Sequence, residues 1–280
     1  MKYTKFLFSI LLTFSTLSYA QKKSNLHVYL CFGQSNMEGQ GVIEEKDTKP
    51  NKRFKVLQAM DCPNLGRTKG KFYEAVPPNC QCYSKLSPSD YFGKTMVANL
   101  PDSISVAIIN VAIGGCDIRL FDKDIYQQYT NTYTESWFTD KLNFYGHNPY
   151  KHLIDLAKIA QEKGVIKGIL LHQGETNTGQ IEWPSYVKKI YNDMLTDLSL
   201  KAENVPLIAG EVVSVEGSCC GSMNQIIATL PATIPTAHVV SSKGCTAQDN
   251  AHFDAAGYRL LGKRYAIKML SLMGYKVAEE

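Results

Sequence analysis

The strongest constraint on the fold of this chain is a series of five short apolar runs. They are LHVYLCF (26–32), SISVAIINVA (103–112), IKGILLHQ (166–173), VPLIAGEVV (205–213) and TAHVVSS (236–242). Aliphatic and β-branched residues follow one another in these runs almost without interruption, as they do in strands that are covered on both faces. The runs therefore predict a five-stranded parallel sheet in a protein of the α/β class.

Helical patterns separate the predicted strands. They cover residues 89–100, 149–163, 184–200 and 254–273. Because strands and helices alternate, right-handed crossovers should place helices on both faces of the sheet. The two long segments that remain, 44–86 and 117–148, are predicted to be loops over the carboxyl edge of the sheet, where long loops often carry function.

The first twenty residues have the pattern of a secretory signal peptide. Lys2 and Lys5 precede the apolar stretch FLFSILLTFSTL, and the small-residue site SYA ends at Ala20. We therefore expect cleavage after Ala20, a single domain over 21–280, and a secreted or periplasmic protein with no membrane anchor after cleavage. Removing the two lysines leaves 28 basic against 26 acidic residues, a balance that gives no argument for a nucleic-acid partner.

All eight cysteines follow the predicted cleavage site, at positions 31, 62, 80, 82, 116, 219, 220 and 245. An exported protein can form disulfides. We expect Cys62 to pair with Cys80 or Cys82, and the adjacent Cys219-Cys220 to pair outward, one of them with Cys245. The connectivity itself cannot be deduced from sequence.

Polar residues follow the predicted strands at the points where the strands end. These groups are Gln34-Ser35-Asn36, Gly114-Gly115-Cys116-Asp117, His172-Gln173-Gly174-Glu175, Glu211, and a last group that contains Asp249 and His252. In parallel α/β sheets, ligands bind outside the carboxyl ends of the strands. The sequence therefore predicts one functional site at this edge.

A nucleophilic hydroxyl needs a base to take its proton, and the base needs a carboxylate to orient it. Ser35, His252 and Asp249 supply these three groups, and Asp249 precedes the histidine by only three residues. The plainer readings are a helix N-cap for the serine and a surface position for the histidine. His152 and His238 are weaker candidates for the base, because one lies within a predicted helix and the other in mid-strand.

Acyl transfer also needs N–H donors for the oxyanion that forms in the transition state. The candidates are the backbone N–H of Ser35, that of Gly114 or Gly115, and the side-chain amide of Gln173. Glycine pairs also mark ordinary turns, so the HQGE sequence around Gln173 is the more specific of these signals.

Four sequence blocks, in order, resemble those of the SGNH (GDSL-type) hydrolases. GQSNMEG is similar to the first block in the form typical of the sialate O-acetylesterase-like branch and of carbohydrate esterase family 6. IGGCDI, HQGETN and DNAHFDAAGY resemble the second, third and last blocks. The resemblance extends over residues 26–273.

The resemblance implies a three-layer α/β/α sandwich with the flavodoxin-like SGNH hydrolase fold. It also implies deacetylation of a carbohydrate through an acetyl-serine, with no metal or other cofactor. Ser35 would be the nucleophile and His252 the base. The acid is Asp249 by the usual pattern and Glu175 by an assignment made in this branch; we favour Asp249 because its spacing to the histidine is local.

The same blocks suggest which residues contact the substrate. They are Gln34, Asn36, Gly114 and Cys116, where the cysteine either shapes the acyl pocket or is tied in a disulfide. Acetylated xylan is the first expectation for the substrate. A sialate O-acetylesterase, a lysophospholipase-like enzyme and a non-catalytic glycan-binding protein are the alternatives. Aromatic residues in segment 117–148 offer a place for a sugar to stack, or ordinary loop packing.

Overall fold

A computed structural model describes residues 25–277, and its centre is a seven-stranded sheet. The strands are β1 (Leu26–Gly33), β2 (Phe54–Leu57), β3 (Phe72–Glu74), β4 (Ser105–Ala112), β5 (Val165–His172), β6 (Leu207–Gly210) and β7 (Ala237–Val240). Their order across the sheet is β3-β2-β4-β1-β5-β6-β7, and only the β2–β3 pair is antiparallel. The predicted α/β class is confirmed. The predicted signal peptide lies outside the described residues.

The prediction of five strands is wrong by two. Strands β2 and β3 lie in segment 44–86, which was expected to be a loop, and they extend the sheet beyond β4. Phe54 of β2 lies opposite Val106 of β4 in a parallel ladder. With four and three residues, the two strands are too short to show a period of their own.

Eight helices are formed by the described residues. They are α1 (Ser35–Glu38), α2 (Pro88–Asn99), α3 (Ser136–Phe144), α4 (Pro149–Gln161), α5 (Trp183–Asp197), α6 (Met223–Ile227), α7 (Leu230–Thr233) and α8 (Ala255–Leu272). The four long predicted helices are confirmed as α2, α4, α5 and α8, whereas α3 lies in the supposed loop 117–148. Within residues 25–277, no helix has the length and apolar character needed to cross a bilayer.

The sheet separates two apolar cores. Val28, Leu30 and Phe32 of β1 face the core that α4 and α5 complete, whereas Tyr29 and Cys31 face the core formed with α2 and α8. All five side chains are fully buried. Burial on both faces is the reason why the strand sequences are almost continuously apolar.

The disulfides confirm one expectation about the cysteines and correct another. Cys62 pairs with Cys82, one of its two expected partners, whereas Cys219 pairs with its neighbour Cys220 instead of pairing outward, which leaves Cys245 free. Cys80 is instead buried within reach of a tyrosine hydroxyl and a backbone carbonyl, and burial raises the pKa of its thiol to about 12.

The three central strands end at the same level. Gly33, the last residue of β1, lies opposite Ala112 of β4 and His172 of β5. It has a φ of +146°, and a Cβ atom there would lie 2.0 Å from the His172 carbonyl oxygen. Only glycine permits this approach. The chain therefore leaves β1 in close contact with β5 and enters α1 with Ser35 at the carboxyl edge.

Candidate active site

Ser35, His252 and Asp249 form a hydrogen-bonded series. The His252 Nε2 atom lies 2.9 Å from the Ser35 Oγ atom, and its Nδ1 atom lies 2.9 Å from an Asp249 carboxylate oxygen. Ser35 begins α1, whereas His252 lies in the loop before α8, 217 residues later. A hydroxyl, an imidazole and a carboxylate in this order can move a proton from the hydroxyl to the ring.

The Asp249 carboxylate is held by the loop that carries the histidine. Its Oδ1 atom accepts hydrogen bonds from the backbone N–H groups of Ala251 and His252, at 2.8 and 2.7 Å. Burial opposes ionisation of Asp249, but these bonds and the His252 ring outweigh it and hold the pKa of the carboxyl below its ordinary value. The ionised form is therefore the one that faces the imidazole.

This loop is also tied to the disulfide between Cys219 and Cys220. The backbone N–H of Cys219 donates to the carbonyl oxygen of Asn250 at 2.9 Å. The loop before α8 is therefore held by its own hydrogen bonds and by one from the disulfide segment.

Glu175 forms no hydrogen bond with His252 and instead holds Asn36. Its Oε1 atom accepts from the Asn36 amide, which also donates to the carbonyl oxygen of Ala251 at 2.9 Å. The Asn36 side-chain oxygen accepts from the backbone N–H of Phe253 at 3.3 Å. Asn36 thus joins α1 to both sequence neighbours of His252, and Glu175 holds the Asn36 side chain.

The backbone N–H groups of Ser35 and Gly115 have no acceptor among the described residues. The N–H of Gly114, in contrast, donates to the Glu38 carboxylate at 2.7 Å. Gly115 has a φ of +75°, a left-handed conformation that glycine adopts without strain. Of the two glycines, Gly115 is therefore the one with a donor available to a ligand.

The structure does not support Gln173 as an oxyanion donor. Its amide nitrogen donates to the carbonyl oxygen of Cys116 at 3.2 Å and to the side-chain oxygen of Asn177. Its amide oxygen accepts from the indole N–H of Trp183. Because the side chain is buried and both polar atoms are engaged, Gln173 connects three segments of the fold and has no free donor.

The four residues expected to contact substrate differ in whether their polar groups are already bonded within the protein. Asn36 and Gly114 use their polar groups within the protein, as described above. Cys116 is fully buried and forms no disulfide; its thiol lies 3.5 Å from the Gly33 carbonyl oxygen, and burial raises its pKa. Of these four residues, Gln34 alone has a side-chain nitrogen without a partner within residues 25–277, while its oxygen accepts two long hydrogen bonds from the loop after β5.

Two site features were missed at the level of sequence. The first is the ion pair between Glu38 and Lys141 of α3, with 2.6 Å between the Lys141 Nζ atom and a carboxylate oxygen. The second is the closeness of Tyr133 and Trp137 to Gly115, where an added Cβ atom would lie 3.0 Å from the Trp137 ring and 3.2 Å from the Tyr133 ring. Glu38 follows Ser35 by three residues, about one helical turn, so its position was within reach of the sequence. The aromatic residues of segment 117–148 were expected to offer a place for a sugar to stack or ordinary loop packing, but nothing in the sequence placed them beside Gly115.

A known protein family matches most of the chain. This family, described as SASA, carbohydrate esterase, sialic acid-specific acetylesterase, matches residues 25–271. The chain belongs to this family. It is a carboxylic ester hydrolase of the carbohydrate esterase type.

Three solved structures share the fold of this esterase. A protein from Arabidopsis thaliana is 19% identical, with a TM-score of 0.66 over 89% of this chain and 98% of that one. NanS is 15% identical, with a TM-score of 0.63 over 90% and 99%. A carbohydrate acetylesterase from Xanthomonas citri is 17% identical, with a TM-score of 0.62 over 89% and 57%.

One group of carboxylates has the spacing of a metal site, but an ammonium group already lies among them. Asp122, Asp124 and Asp193 bring their oxygens within 4.8 Å of one another. The Nζ atom of Lys189 lies 3.0, 2.6 and 2.8 Å from these three side chains, respectively. The group therefore joins α5 to the loop that contains the first two aspartates.

Proposed function

We propose that this protein is a secreted serine esterase that removes O-acetyl groups from a carbohydrate through an acetyl-serine intermediate. The observation that carries the proposal is the pair of 2.9 Å contacts that join Ser35 to His252 and His252 to Asp249. These contacts supply a nucleophile, a base and an orienting carboxylate in one row.

In the first half of the reaction, the Ser35 hydroxyl attacks the acetyl carbonyl while His252 takes its proton. The negative charge on the carbonyl oxygen is stabilised by the unpaired N–H groups of Ser35 and Gly115. As the tetrahedral intermediate collapses, the bond from carbon to the sugar oxygen breaks. His252 returns the proton to that oxygen, and the sugar leaves with a free hydroxyl.

In the second half, water attacks the acetyl-serine. His252 takes a proton from the water, the same two N–H groups stabilise the new oxyanion, and the proton is returned to the Ser35 oxygen as acetate leaves. Asp249 stays ionised throughout and stabilises the charged imidazole. Because both halves use one base, loss of the His252 imidazole should slow both.

The charges around the serine favour a neutral sugar. Glu38 is paired with Lys141, whereas Glu175 and Asp249 have no lysine or arginine partner among the described residues. A negative charge on the substrate would be repelled by an ionised Asp249. We therefore place acetylated xylan first and an O-acetylated sialic acid, which the description of the family suggests, second.

Two observations support secretion. Residues 1–20 have the sequence of a cleavable signal, and the structure contains two disulfides, which persist in oxidising compartments.

The test is acetate release from acetylated xylan, O-acetylated sialic acid and acetylated pectin by the wild type and by Ser35→Ala. We expect release from at least one substrate, and a loss of about 10³-fold or more in Ser35→Ala with an unchanged melting temperature. Wild-type turnover in that variant would show that the nucleophile is assigned wrongly. Absence of acetate release from every carbohydrate would refute the proposed function.

A further inference from the structure

Tyr133 and Trp137 form an aromatic surface that we name the aromatic wall. Tyr133 is partly buried and packs against the core, whereas Trp137 is exposed. Their ring centroids are 4.9 Å apart. Trp137 is 46% exposed, whereas the adjacent Phe138 is fully buried in the core. Large exposed aromatic groups beside a site commonly mark a binding surface.

The aromatic wall lies directly beside the proposed oxyanion donor. A Cβ atom placed on Gly115 would be 3.0 Å from the Trp137 ring and 3.2 Å from the Tyr133 ring. A Cβ atom on the preceding Gly114 would be 3.5 Å from the Ser35 Cβ atom. Gly115 therefore lies beside the wall and Gly114 beside Ser35, which places the wall at the border of the site.

The wall is fixed to the nucleophile helix by a charged contact. Lys141 follows Trp137 by four residues and so lies on the same face of α3. Its ammonium group binds Glu38 of α1 at 2.6 Å, and the other Glu38 oxygen accepts from the Gly114 N–H. On the adjacent face of α3, Phe138 and Leu142 are buried in the core. The position of the wall is thus coupled to that of Ser35.

We infer that the aromatic wall is the subsite for the sugar ring that bears the acetyl group, and that this ring is a neutral pyranose. The inference rests on the proposed function and specifies its substrate. The face of an aromatic ring is electron-rich and binds the apolar C–H face of a sugar, while the sugar hydroxyls point to water. The Asp249 carboxylate, which contacts the His252 ring, favours a sugar without a negative charge.

The test compares Trp137→Ala with Phe144→Ala, using an acetylated xylo-oligosaccharide and 4-nitrophenyl acetate as substrates. Phe144 is the matched control, because it lies on the same helix and is 48% exposed. We expect Trp137→Ala to raise KM for the oligosaccharide about tenfold. Hydrolysis of the small ester should stay within about threefold, and Trp137→Phe should regain most of the oligosaccharide activity.

An equal loss on both esters would overturn the inference, because it would show that Trp137 supports Gly115 rather than a sugar. An unchanged KM for the oligosaccharide in Trp137→Ala would overturn it as well. A binding measurement distinguishes failure of the subsite from failure of the proposed function. Calorimetry on Ser35→Ala should detect the acetylated xylo-oligosaccharide, and the double variant with Trp137→Ala should bind it about tenfold more weakly; equal affinity, or no binding to Ser35→Ala, would refute the subsite.

Discussion

Asp249 and Glu175 both lie close to the nucleophile turn, but they hold different partners. Asp249 is about half exposed and lies on a short turn, where it contacts the His252 ring directly. Glu175 follows a central strand, has one carboxylate oxygen buried without a partner among the described residues, and contacts Asn36. The exposed carboxylate thus contacts the proposed base, and the more enclosed one holds Asn36, which bonds to the loop that carries this histidine.

The comparison shows that proximity to a reaction centre does not define a chemical role. A carboxylate bound to the ring selects its tautomer and stabilises its charged form. A carboxylate bound to Asn36 can influence His252 only indirectly, by fixing its position. The Asn36 side chain bonds to Ala251 and Phe253, on either side of that histidine. Substitution of the two acids should therefore give effects of different size and kind.

The largest expected effect follows Asp249→Asn. An amide at this position no longer stabilises the imidazolium and can hold the ring in the wrong tautomer, so kcat for 4-nitrophenyl acetate should fall by about 10³–10⁴-fold. Glu162→Gln, which removes an exposed carboxylate from the end of α4, is the control and should retain activity. A loss of less than tenfold in Asp249→Asn would contradict its assignment as the acid.

Glu175→Gln should have a smaller effect. The new amide oxygen can still accept from Asn36, but its NH₂ group replaces a buried oxygen that has no partner. We expect kcat to fall about tenfold and the free energy of unfolding to fall by about 1–3 kcal/mol. Kinetics and chemical denaturation measure the two quantities. A loss of kcat larger than that of Asp249→Asn, with no change in stability, would reverse the roles of the two acids.

The smallest effect concerns stability and pH. The folded-state pKa of Asp249 is depressed, so its ionisation stabilises the folded protein above the unfolded-state pKa of about 3.9 and ceases to do so as pH falls through the folded value. The melting temperature of the wild type should exceed that of Asp249→Asn by at most a few degrees at pH 6. Calorimetry should show this difference shrinking towards pH 3; a difference that grows on acidification would contradict the lowered pKa.

Much of this architecture was accessible from sequence, because it depends on long and regular patterns. The five predicted strands and four long helices bury large continuous faces, and such faces leave periodic traces. The meeting of Ser35 with His252 followed from two facts: strands that end at one edge, and an aspartate three residues before the histidine. Both are local or topological properties.

The errors share a physical cause, which is dependence on side-chain direction or on very short elements. Nothing near Gln173 indicates that its amide points towards Trp183 and Asn177 rather than towards a ligand. Three-residue and four-residue strands such as β3 and β2 show no period. The disulfide between Cys219 and Cys220 depends on local backbone geometry, which residue spacing does not report.

The 217-residue separation between Ser35 and His252 makes their contact depend on the whole sheet. The serine lies at the start of α1, directly after β1, whereas the histidine lies in the loop before α8. The two side chains meet because α8 packs in the same apolar core as α2. Loosening of α8 from that core would therefore separate the two side chains even with β1 and α1 intact.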